Sequence, residues 1–277
     1  MISARNILRN TVLNFLPPRI VHEINLLKNV RLHALEAEMR FVSDFVTPGS
    51  TVIDVGANLG LYADIFARKA GKVLAVEPQP LLAKYLRQVV PKNVEVIEVA
   101  LSSQDGEAEL RIPRFGPGNL GTLDAYATIE KNNSFGSVPP TAVDTITIPL
   151  RRLDDIAKGH GVVSFIKIDV EGHEGGVVGG ALDVIRNQRP VLLIEIEARH
   201  NEHAYDVFDV MAAEGFDAFC LQNARLTQVT KADVARLQGW DLATGKSALK
   251  DVHGLSATHV ANFFFIHRDD HRRSLVA

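Results

Sequence analysis

Between residues 51 and 99, short runs rich in valine and isoleucine alternate with stretches of helical periodicity, and no other feature of the chain restricts its fold as much. The runs are 51–55, 72–76 and 94–99. The helical stretches are 62–70, stopped by Gly71, and 80–90, opened by Pro80 at a position that suits a first helical turn. This order, with its short connections, predicts a doubly wound α/β fold: a mostly parallel sheet covered by helices on both faces. The rhythm returns with a strand at 165–170, a helix at 174–187, a strand at 191–196, a helix near 205–214, and closing strands at 218–221 and 263–267. Residues 1–47 read as an N-terminal helical extension broken by Pro17-Pro18, and residues 48–277 as one domain. The helical rhythm lapses between about 101 and 150 into glycine, proline and asparagine with short alternating pieces at 107–112 and 145–150. Such an insertion is usually a lid, a small β-extension or a disordered loop. The segment 222–260 shows little pattern.

Bulk properties narrow the classes of function. Thirty basic and 33 acidic residues leave a net charge of −3, so the strong basic excess that drives phosphate-backbone binding is absent and no nucleic-acid partner is expected. No stretch approaches the roughly 20 apolar residues of a membrane helix, and the first 18 residues lack the features of a secretory signal. A cytoplasmic protein without an integral membrane segment is the expectation. The single cysteine, Cys220, cannot form an internal disulfide and reads as a small buried residue.

Chemistry concentrates in the loop after the first strand, Asp54-Val55-Gly56-Ala57-Asn58-Leu59-Gly60. Gly56 and Gly60 allow a sharp strand-to-helix turn and leave main chain bare for a ligand. A dinucleotide site is usually G-x-G-x-x-G, in which the second glycine admits a pyrophosphate. Here the spacing is G-x-x-x-G with Asn58 at its centre, which suits a nucleoside ligand without phosphates, such as S-adenosylmethionine. Glu77, at the end of the second strand, stands where a carboxylate can accept hydrogen bonds from both hydroxyls of a ribose.

At these residues the chain resembles the FkbM-type family of S-adenosylmethionine-dependent methyltransferases. The resemblance runs through residues 52–60, through Val76-Glu77-Pro78-Gln79-Pro80, and through Phe165-Ile166-Lys167-Ile168-Asp169-Val170-Glu171-Gly172-His173-Glu174, and continues at Gly180-Ala181 and at 189–195. It implies a class I methyltransferase fold with a seven-stranded, mostly parallel, Rossmann-like sheet whose last strand is antiparallel. It also implies O-methylation of a hydroxyl on a small or glycosylated metabolite, with N-methylation on the same scaffold as the alternative. Carried over by position, Asp54, Gly56, Ala57, Asn58 and Gly60 would line the methionine and ribose part of the cofactor, Glu77 would hold the ribose diol, and Ala100, Leu101 and Ser102 would lie near the adenine. One departure stands out: residues 175–180 read Gly-Gly-Val-Val-Gly-Gly, and each interior glycine costs a helix about 0.5–1 kcal/mol against alanine.

Methyl transfer from a sulfonium needs an aligned nucleophile and exclusion of water. A hydroxyl must also lose its proton. Asp169, Glu171 and His173 follow the fourth strand on the ligand-binding edge, and His173 is the first choice for general base, with Asp169 orienting the hydroxyl or the cofactor amine. The bland alternative is that Asp169 caps the next helix while Glu171 and His173 face solvent. Glu195 and Glu197 alternate along the fifth strand, and Glu195 is placed to close the substrate pocket. A metal held by Asp169, Glu195 and His200 or His203 is conceivable, but the spacing is not that of a ligand set, so no metal is assigned. Residues 113–140 and the N-terminal helices are expected to shape the acceptor pocket. A nicotinamide-dependent oxidoreductase shares the loop and ribose acid and is the rival class. Association with further copies is left open.

Overall fold

The protein was analysed as a computed structural model that describes residues 17–20, 22–24, 37–114, 127–131, 133, 142–198, 200, 201, 203–241, 246, 247 and 260–276. Most of the N-terminal extension, much of the expected acceptor-pocket segment 113–140 and residues 242–245 and 248–259 of the unpatterned stretch lie outside this set.

The predicted alternation forms one central sheet. Strands β1 (Thr51–Val55), β2 (Lys72–Val76), β3 (Val94–Ile97), β7 (Val163–Ile168) and β8 (Val191–Glu195) run parallel in the order β3-β2-β1-β7-β8. Strand β13 (Asn262–His267) inserts antiparallel between β8 and β9 (Phe216–Gln222). This is the class I methyltransferase order that the sequence implied. The sheet has eight strands rather than seven, because β10 (Arg225–Val229) folds back on β9 through a tight turn at Asn223-Ala224, both in left-handed conformation. Its side chains are mostly exposed, so no apolar alternation marked it.

Two apolar layers hold the sheet, and successive residues of a strand feed opposite ones, as the pleat requires. Ile53 and Val55 face the layer that holds helices α5 (Glu174–Gly179), α6 (Leu182–Gln188), α7 (Asp206–Ala213) and α8 (Lys231–Leu237) through Val177, Ile185, Met211 and Val234. Val52 faces the other layer, with α1 (Val42–Phe45), α2 (Leu61–Ala67) and α3 (Pro80–Val89), through Phe45, Phe66 and Leu86. From the N-terminal extension, His22 is buried against this layer, its Nε2 2.8 Å from Asp64 Oδ2 and its Nδ1 3.2 Å from the Tyr85 hydroxyl. Among the described residues no helix is long and apolar enough to cross a membrane.

The insertion is a small β-extension. Strand β5 (Gly106–Arg114) pairs antiparallel with β6 (Ala142–Arg151), and β4 (Ala100–Leu101) adds to β6 in parallel. Thr128 forms a further antiparallel bridge to Arg111. The predicted helix 174–187 divides into α5 and α6 at Gly180, where a side chain would strike the carbonyl of Ser102 at 2.1 Å.

Candidate active site

Parallel strands end together, and five of them open onto one cleft of about 260 Å³. Its walls are Val55, Gly56 and Asn58 after β1, Glu77 after β2, Ala100 and Leu101 of β4, Asp169, Glu171 and His173 after β7, and Glu195 of β8. Of the residues singled out in the sequence, Asp54, Ala57, Gly60 and Ser102 stand behind this wall and do not line it.

The loop after β1 is shaped from inside the protein. Gly56 has φ +78°, its N–H donates to the Val76 carbonyl at 2.9 Å, and an added Cβ would lie 1.8 Å from the main-chain oxygen of Asp169. Gly60 has φ +83°, and a Cβ there would meet Leu86 at 2.7 Å. The side on which a Cβ would stand is thus taken by the β7 end at Gly56 and by α3 at Gly60, while Gly56 still lines the cleft. Both glycines bend the chain by accepting left-handed conformations beside packed neighbours. Asn58 sits left-handed as well, at φ +49°, and its N–H donates to Glu77 Oε2 at 2.8 Å while the N–H of Gln79 donates to Oε1 at 2.9 Å. Two main-chain amides thus fix the plane of the Glu77 carboxylate at the cleft wall, using two of its roughly four acceptor positions.

Asp54 is fully buried. It lies opposite Lys167 in the β1–β7 ladder, so the two side chains share a face of the sheet. Lys167 is itself 2% exposed; its ammonium meets Asp169 Oδ2 at 2.8 Å and stands 4.6 Å from the centre of the Tyr62 ring. A lysine at such depth requires acids beside it. The Lys167–Asp169 pair therefore links the interior to the cleft wall. Lys167 was missed in the sequence, although a lysine and an aspartate two apart in an apolar strand point to one side.

Beyond Asp169 the chain turns through Glu171, left-handed at φ +55°, and Gly172 at φ +108°. Glu171 pairs with His200 at 3.2 Å, and His200 is 3.7 Å from Glu197. His200 is buried in this pairing, whereas His203 is exposed beside Asp206. No cluster suited to a metal occurs among the described residues. Glu174 is buried, and its carboxyl is pushed up to about 7, chiefly by burial, with Asp169 adding to the rise and the amides of Gly172, Glu174 and Val170 opposing it.

His173 has both ring nitrogens occupied. Nδ1 lies 2.6 Å from Glu130 Oε1 and Nε2 lies 3.0 Å from the Ser102 hydroxyl. A Cβ on Gly176 would be 2.2 Å from Nε2, so the glycine-rich start of α5 makes room for the imidazole. That is the physical reason for one glycine of the run noted in the sequence, as the Ser102 carbonyl is for Gly180; Gly175 has nothing within 4 Å. Ser102, expected near an adenine, hydrogen-bonds this ring. Glu130 was missed because its place depends on how the insertion returns over the cleft, a long-range event with no local signal.

A family model described as the methyltransferase FkbM domain matches residues 54–218. A stretch of 78 residues, 26% of this chain, is 37% identical to ribosomal protein L11 methyltransferase from Symbiobacterium thermophilum and covers 25% of that protein. The chain is also similar to the crystal structure of methyltransferase FkbM from Methylobacillus flagellatus KT, with 16% identity and a TM-score of 0.46 over 84% of this chain and 49% of that one. An rRNA methylase structure from Streptococcus thermophilus gives 12% identity and a TM-score of 0.42, over 82% and 91%. The chain thus spans a quarter of the first of these relatives and about half of the second.

Proposed function

The chain belongs to the FkbM methyltransferase family, and from that premise we propose that it transfers a methyl group from S-adenosylmethionine to a hydroxyl of a small or glycosylated metabolite. The observation that carries this reading is the Glu77 carboxylate, held by two amides on the wall of a cleft at the carboxyl edge of the sheet, where a ribose diol would find acceptors already oriented. The donor set fits the cofactor. Among the lining residues Glu77, Asp169, Glu171 and Glu195 are acidic and none is lysine or arginine, an electrostatic setting that favours a sulfonium and an ammonium and opposes the pyrophosphate of a nicotinamide dinucleotide. Leu82, Val99, Ala100, Leu101 and Leu110 supply an apolar wall for a flat base. When bound, the cofactor supplies an electrophilic methyl group on sulfur.

The chain's own residues align the acceptor and receive its proton. Asp169, paired with Lys167, and Glu195 face the cleft from neighbouring strand ends and are assigned to orient the hydroxyl, with Asp169 taking the proton as the new C–O bond forms. His173 is assigned an anchoring role, since its Nε2 is turned toward Ser102 and the start of α5. Methyl release measured against panels of hydroxylated and of amino metabolites tests the reading. Turnover is expected with hydroxyl acceptors and a fall of at least 100-fold in kcat for Asp169→Asn. Turnover with amines alone would overturn O-methylation, and an unchanged kcat would overturn the role of Asp169.

A further inference from the structure

Residues 127–131 and 133 come back from the insertion as a strap across the cleft, and Ala127, Thr128 and Ile129 form part of its wall. The strap is held from two sides. From β5, the Arg111 guanidinium donates to the carbonyls of Glu130, Lys131 and Asn133 at 3.2, 3.0 and 3.2 Å. From the β7 end, the carbonyl of Glu171 accepts from both Thr128 Oγ1 and Asn133 Nδ2 at 2.8 Å. It is presented by a residue held in the left-handed region, a conformation that persists only where surrounding contacts enforce it. The third tie is Glu130 to His173, and through His173 to Ser102.

We propose that Glu130 is a positioning residue that latches this strap to the cleft through His173, and so sets the wall against which cofactor and acceptor lie. The inference rests on the methyltransferase reading only for what the cleft holds. The latch follows from three features. Its ring is clamped at both nitrogens, so rotation is blocked. Both protonation states of the imidazole satisfy both partners: neutral, it donates from Nδ1 and accepts from Ser102; charged, it donates to each, with the hydroxyl reversed. The room for the ring is reserved by Gly176, where any side chain would occupy the position of Nε2.

The test uses the full chain and the variants Glu130→Ala, Glu130→Gln, His173→Ala and Thr128→Val, with trypsin cleavage after the exposed Lys131, affinity for S-adenosylhomocysteine by calorimetry, and KM and kcat as readouts. Glu130→Ala is expected to speed cleavage at Lys131 at least tenfold, to weaken S-adenosylhomocysteine about tenfold and to raise the acceptor KM more than it lowers kcat. Glu130→Gln, which keeps an oxygen for Nδ1–H, is expected to recover most of each loss. The double variant Glu130→Ala with His173→Ala is expected to behave like either single one. Cleavage and affinity unchanged in both Glu130→Ala and Thr128→Val would overturn the latch. Failure of the wild-type chain to bind S-adenosylhomocysteine would instead overturn the methyltransferase reading, and the cleavage rates would still decide the latch.

Discussion

Replacing Glu174 by glutamine should make the protein more stable above neutral pH and leave it unchanged in acid. Glu174 is 2% exposed, its Oε1 accepts the Gly172 N–H at 2.9 Å, and its Oε2 has no hydrogen-bond partner among the described residues. Burial raises its carboxyl from the ordinary 4.5 to about 7. A carboxyl whose pKa rises on folding binds its proton more tightly in the folded chain. Its contribution to stability is therefore whole below the unfolded value and is lost as pH climbs toward the folded one. Each pH step of one in that window costs about 1.4 kcal/mol, so the loss reaches about 3 kcal/mol by pH 8. Glutamine reproduces the protonated acid, with an oxygen for Gly172 and an N–H₂ in place of O–H. Urea unfolding at pH 5, 6, 7 and 8 reads the difference between variant and wild type. With a slope near 3 kcal/mol per molar, the midpoints should differ by only about 0.3 M at pH 5 and by about 1 M at pH 8, the variant being the more stable. A separation that does not grow with pH would refute the reasoning.

Other expectations follow from the same contacts. Lys167→Met removes the buried cation paired with Asp169 and should cost about 3–5 kcal/mol in urea unfolding, as when one partner of a buried ion pair is lost; an unchanged midpoint would mean that this pair contributes nothing to stability. Gly176→Ala would add about 0.5–1 kcal/mol to a free helix, yet here it should expel the His173 ring, lower methyl transfer at least tenfold and destabilise by about 1–3 kcal/mol. A more stable variant with full turnover would contradict that account. Gly56→Ala, with its Cβ 1.8 Å from the Asp169 carbonyl and φ at +78°, should destabilise by more than about 2 kcal/mol in the same unfolding assay, and tolerance would show that the β1 loop can shift.

What the sequence disclosed was local. The seven expected strands, the loop 54–60 and the place of Glu77 at a strand end were legible because each is encoded within a few neighbouring residues: a β-branched run, a glycine spacing, an acid after a strand. What stands beside Gly56 was not legible, since it is the Asp169 carbonyl at the end of β7, more than 100 residues later in the chain. Glu130 and Thr128 escaped for the same reason. The partners of His173 were not legible, because the one at each nitrogen comes from a different part of the insertion. Two features had readable signals that went unused. Lys167 shares a strand face with Asp169, and Thr230 with Asp233 forms a reciprocal cap at the start of α8, a pattern that announces a helix.

We propose that Glu77 holds the ribose diol of an adenosyl sulfonium in a cleft whose acids disfavour a dinucleotide. Calorimetric titration of the wild-type chain and of Glu77→Ala with S-adenosylhomocysteine and with NAD tests it directly. The account predicts one-to-one binding of S-adenosylhomocysteine to the wild type, at least a 100-fold loss in Glu77→Ala from two or more charge-assisted hydrogen bonds, and no heat with NAD. Heat from NAD alone, or equal affinity for S-adenosylhomocysteine in both chains, would contradict it.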